Sequence, residues 1–182
     1  MIYKRTTDPT ELAVSVADMK SYLRLSVATH DTLVQTLIEA AQRMLEARAN
    51  IMLKTQTWDL SLSQSEVVKE VYMAKYPILG FSSITYYDDD NVLQSLTNSN
   101  NDYISFINGR PGSLIFDSVP SVYDRPDAMK ITFLGGYQTV PDDIVLGIKM
   151  MVWRMYKHPD DPVTEKMSFV DKIVRDHRSW QP

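Results

Sequence analysis

A chain of 182 residues with 44% hydrophobic and 23% charged residues carries enough apolar material to bury about 70% of its unfolded surface, which excludes a wholly disordered segment. It has no cysteine, which excludes a disulfide framework, a thiolate metal site and a cysteine nucleophile, and fits a reducing compartment. A formal charge of −4 argues against tight binding to a nucleic-acid backbone, and no apolar run approaches the roughly 18 residues of a membrane span.

The opening MIYKRTTDPTE is polar, lacks the apolar stretch of a signal peptide, and is expected to be extended or mobile in a cytoplasmic protein. SVADMKSYLRL (15–25) predicts a short helix with Ser15 as N-cap and Met19, Tyr22 and Leu23 on one side. A second helix is predicted from Asp31 to Asn50, since Leu33, Val34, Leu37, Ile38, Ala41, Met44 and Leu45 repeat at helical spacing. The period then changes to two. TQTWDLSLS (55–63) alternates Gln56, Trp58, Leu60 and Leu62 against polar residues, as a strand with one buried face does. A second strand is predicted within EVVKEVYMA (66–74), followed by a hairpin in SSITYYDDDNVLQSL whose turn is DDDN (88–91). DYISFINGRPGSLIFD (102–117) predicts another hairpin, and a last strand falls at about 128–134.

A third helix starts after Pro141, with Asp142 and Asp143 near its positive dipole end, and a fourth lies in EKMSFVDKIVRDHRSW with Phe169, Ile173 and Val174 inward. The order is two helices, about six antiparallel strands and two helices. That order predicts an α+β fold, a small helical bundle with an antiparallel β region inserted, rather than a βαβ arrangement.

Chemistry is hard to find in this pattern. His30, His158 and His177 fall at a helix start, a helix end and in the tail, with no HExxH spacing, so no metal-ligating residues are assigned. The DDDN run lacks the glycine and terminal glutamate of a calcium loop. NGRPG (108–112) lies between strands and not at a helix N-terminus, where phosphate binding needs it. No catalytic residue, no cofactor-binding residue and no cofactor is assigned, and the expectation is that the protein is not an enzyme.

The third helix poses a different problem. Ile144, Val145, Ile148, Met151, Val152, Met155 and Tyr156 make one apolar face, and Leu146, Met150 and Trp153 make a second stripe. A surface helix buries one stripe and wets the rest. Two readings stay open: the helix is central in its own bundle, or the second stripe packs on another copy of the protein. The candidate subunit-interface residues are Met44, Met150 and Trp153. The ten methionines suit an adaptable contact surface, and equally suit core gap-filling.

The motif order resembles the head–tail connector (adaptor, or head-completion) family of long-tailed bacteriophages and their prophages. The likeness rests on TELAVSVADMKSYLRLS, HDTLVQTLIEAAQRMLEARAN, TQTWDLSLS, KYPILGFSSITYYDDDNVLQSL and GGYQTVPDDIVLGIKMMVWRMYKHPDD, in that order over some 150 residues. YKHPDD stands where relatives often carry Tyr-x-x-Arg, and the tail DHRSW departs from the pattern. The resemblance implies one connector domain over residues 1–182, with its helical part at 15–50 and 141–180 and the β region at 55–135. It implies a homo-oligomeric ring, twelve-fold in the virion, that joins the portal protein of the DNA-filled head to a tail or stopper protein. DNA would pass through the lumen without specific binding, and no membrane is involved. The implied location is the virion neck, with assembly in the host cytoplasm. Arg175, Arg178 and Trp180 are the candidate portal- or tail-docking residues. Alternatives are another neck protein, such as a tail-completion factor, or an unrelated protein-binding module.

Overall fold

The computed structural model describes residues 1–26, 28–159 and 168–178. The fold is α+β, with four α-helices and eight strands among the described residues. The chain divides into two compact units. One is formed by residues 10–54 and 137–178, the other by residues 1–9 and 55–136.

The first unit is helical. Helix α1 (Val16–Leu23) starts where Ser15 accepts a hydrogen bond from the Asp18 N–H at 3.1 Å, and ends at Arg24, whose φ of 58° turns the chain out of the helix. Helix α2 (Asp31–Ala49) ends in the same way at Asn50, φ 54°. Helix α3 (Asp142–Lys157) follows Pro141 and carries Asp142 and Asp143 in its first turn and Arg154 and Lys157 in its last, matching the helix dipole at both ends. Helix α4 is Ser168–His177.

The core of this unit is built from one face of each helix: Met19 of α1, Val34, Ile38, Ala41 and Leu45 of α2, Ile144, Ile148, Met151 and Val152 of α3, and Val170 and Ile173 of α4. Phe169 and Val174 pack at its margin. Gly147 marks the close approach of α4 to α3: a Cβ there would lie 2.6 Å from Cδ1 of Ile173, so the end of that side chain would have to shift. Two further links hold α4: His177 Nε2 lies 2.6 Å from Asp143 Oδ2, and Arg48 pairs with Asp171.

The second unit is all antiparallel β. One sheet has the order β1–β2–β8–β4–β5, from β1 (Ile2–Thr7), β2 (Gln56–Leu62), β4 (Ile78–Tyr87), β5 (Leu93–Leu96) and β8 (Met129–Gly135). The other has the order β3–β7–β6, from β3 (Glu70–Met73), β6 (Tyr103–Phe106) and β7 (Gly112–Phe116). Leu60, Ile131 and Ile84 stand opposite one another across three strands of the larger sheet, and all are buried. Trp58, Phe133 and Phe81 form the next row. The sheets meet where the Ala74 N–H donates to the Tyr3 hydroxyl at 2.9 Å and where the Ile78 side chain lies over Gly112.

Of the two states expected for the opening segment, extended and mobile, residues 2–7 take the extended one and form β1, an edge strand paired with β2. Two expectations need correction. The strand sought at 66–74 occupies only 70–73, because Ser63 and Glu66 close a capping box around a short 3-10 turn just before it. The strands number eight, not about six. DDDN is the β4–β5 turn: Asp88 Oδ1 accepts from the N–H groups of Asp90 and Val92, and Asn91 has φ 59°.

Candidate functional site

Helix α3 separates its two apolar stripes by exposure. Ile144, Ile148, Met151 and Val152 are fully buried, with Val145, Met155 and Tyr156 packed beside them. Leu146 is 41% exposed, Trp153 is 44% exposed and Met150 is half-buried. Spacing of four and then three residues puts Leu146, Met150 and Trp153 on one ridge, and Lys149 and Lys157 fall along the same side. The Trp153 ring meets the imidazole of His158 edge-on, with centroids 6.1 Å apart. His158 is itself fixed as the C-cap of α3 through its N–H to the Arg154 carbonyl at 2.8 Å. The indole is therefore braced at the helix end while much of its surface meets solvent.

The other candidates are placed apart from this ridge in the chain. Met44 is half-buried on α2, at the margin of the core. Arg175 is exposed on α4, with its Nε 3.5 Å from Asp176 Oδ1, and Arg178 is exposed just past the helix end. Trp180 lies outside the described residues.

The three histidines, all among the described residues, each have a partner or a capping role. His30 heads α2 and stacks edge-on with Tyr156 at 5.9 Å, His158 caps α3, and His177 is bound to Asp143. Burial pushes the Asp143 carboxyl up, but the bonds from His177 and from the Ile144 N–H outweigh it, and the net shift is downward. In the β unit, a shallow depression of about 240 Å³ is lined by Ser61, Ser83, Thr85, Tyr87, Leu93, Asp127 and Lys130. Its carboxylate, Asp127, is held by Arg125 in a two-point pair at 2.7 and 3.0 Å. The Arg125 guanidinium holds that carboxyl below the ordinary aspartate range.

Sequence reasoning missed a second apolar surface. The sequence marks residues 102–117 as a hairpin without saying which side is covered, and Ile104 is 61% and Phe106 is 54% exposed on β6. Tyr72 on β3 is 39% exposed on the same side. Alternation identifies which residues share a face; it carries no information on whether that face is covered.

Residues 12–170 match the head completion protein family. The chain belongs to the head completion protein family. The match spans both units of this head completion protein, which is a structural family and not a family of enzymes. No curated protein sequence is significantly similar to it. Solved structures share its fold. A chain from the neck of an empty GTA particle, computed with C6 symmetry, superposes with a TM-score of 0.83 at 16% identity. A chain from the virion of a native gene transfer agent (GTA) particle gives 0.80 at 15% identity, and one from the neck of a native GTA particle computed with C12 symmetry gives 0.80 at 14%. Each likeness covers 100% of this chain and 97% of the other. At these identities they establish a shared fold over the whole chain.

Proposed function

We propose that this head completion protein is a structural component of the virion neck, a ring of identical copies that joins the portal of the DNA-filled head to the tail or its stopper protein. The observation that carries the reading is the bare ridge on α3. A soluble helix gains nothing by displaying Leu146 and Trp153 to water, and exposed apolar surface of this kind marks a contact face. Full-length likeness to neck chains solved with C6 and C12 symmetry supports a ring and a place in the neck. Met150 and Trp153 are the core of the subunit contact, with Met44 contributing from its half-buried position. Twelve copies match the symmetry of the portal. Arg175, Arg178 and Trp180 supply the segment that docks on portal or tail.

DNA crosses the lumen without being held. A net charge of −4 on each copy fits a channel that must release its cargo, since strong backbone binding needs clustered cations. The test is negative-stain microscopy of the purified protein, alone and mixed with portal. Rings, or monomers that join portal as rings, are the expected result. A monomer that ignores portal overturns the reading.

A further inference from the structure

We propose that the outer face of the β3–β7–β6 sheet receives the α3 ridge of the adjacent copy, so that the ring contact is a helix laid across a sheet. The inference rests on the ring reading above and names the surface that answers the ridge.

Strand register defines that face. Tyr72, Ser113 and Phe106 stand in one row across the three strands, and Glu70, Ile115 and Ile104 in the next. The side chains between them, Val71, Met73, Leu114 and Phe116, point the other way and are fully buried. Four of the six residues on this outer face, Tyr72, Phe106, Ile104 and Ile115, are apolar or aromatic, with Ser113 buried among them and Glu70 at one corner, whereas an outer face is normally polar. Its border strand, β6, has the sequence YISF, free of charge and proline, and one edge of its backbone has no partner strand among the described residues. Such an edge invites association unless it is covered in the working assembly.

A closed ring of identical subunits requires a heterologous contact, in which one patch meets a different patch on the next copy. The α3 ridge and this sheet face are two unlike apolar surfaces of the kind such a contact joins. Their dimensions agree: Leu146 to Trp153 spans about 10 Å along a helix, and three strands span about 10 Å across a sheet. Their charges agree as well. Glu70 is the charged group within the sheet face, while Lys149 and Lys157 border the ridge. Opposite charges at the rim fix register and orientation more than they add affinity.

The absence of native cysteine makes the test direct. Ile104→Cys and Trp153→Cys are prepared as separate full-length proteins, assembled with portal, and oxidised singly and as an equal mixture. Covalent dimers that dominate in the mixture, and a ladder of covalent oligomers when both substitutions share one chain, are expected. Rings visible by microscopy without the mixed cross-link overturn the inference and leave the ring reading standing. If the wild-type protein forms no ring with or without portal, both fall. Glu70→Lys and Lys149→Glu provide an independent check on variants with intact exposed surfaces. Each alone lowers ring yield and the two together restore it; ring yield unmoved by either contradicts the proposed pairing.

Discussion

Gln42 and Glu46, one turn apart on α2 and both buried, hold the two stretches of chain that border the helices. Gln42 Oε1 accepts from the Ala13 N–H at 3.0 Å, and Glu46 Oε1 accepts from the Leu53 N–H at 2.8 Å. Removing the Glu46 carboxylate leaves the buried Leu53 N–H without that acceptor. Glu46→Ala is therefore expected to cost about 1–3 kcal/mol, read as a lower urea midpoint at unchanged slope. Glu66 offers a pH handle in the β unit. Its carboxyl is held at about 2, first by the bond from the amino group of Met1 and then by the Ser63 N–H. Because the folded pKa lies below the ordinary 4.5, the stabilisation is fully present above about pH 4.5 and is lost as pH falls toward 2. Glu66→Gln should flatten that acid limb in a pH series of thermal unfolding. An acid limb identical to the wild type would show that the amino-group pair contributes nothing.

At the scale of elements, α3 tests whether its two stripes differ as their burial says. Ile148→Ala empties a fully buried position and should cost about 2–5 kcal/mol, whereas Leu146→Ala on the ridge should stay within about 0.5 kcal/mol. Urea unfolding of the two variants checks the contrast. The helices were the legible part of this chain. Seven apolar residues of α2 recur at helical spacing, and its bounds in the structure, Asp31–Ala49, fall within a residue of those predicted. Both hairpins were legible too, because Asp, Asn, Gly and Pro mark their turns locally. β1 was not. Its sequence IYKRTT has no sustained alternation, and its partner β2 lies more than fifty residues away, so nothing local announces the pairing. The ridge on α3 was legible as surplus apolar spacing, but which of two stripes is covered is decided by neighbours that no single segment encodes. The sheet face around Ile104 and Phe106 was hidden for the same reason: a strand with alternating side chains looks alike whether its apolar side is inside or out.

At the scale of the whole molecule, the chain is a member of a structural family of the virion neck. The α+β subunit leaves apolar side chains of α3 and β6 exposed, and no described helix is long and apolar enough to cross a membrane. An acidic chain of this kind should give no band shift with duplex DNA at about 100 mM salt, since a backbone binder of useful strength survives that condition. A stable complex in a gel-shift assay would speak for a nucleic-acid module instead. The claim on which the rest depends is that the α3 ridge is covered by another copy. Native mass spectrometry of portal mixed with wild-type protein, beside portal mixed with the Met150→Glu/Trp153→Glu variant, tests it most directly. The account predicts a twelve-copy addition to portal for the wild type, and for the variant a folded monomer with an unchanged unfolding midpoint that adds no ring. A variant that still adds the full ring would contradict it.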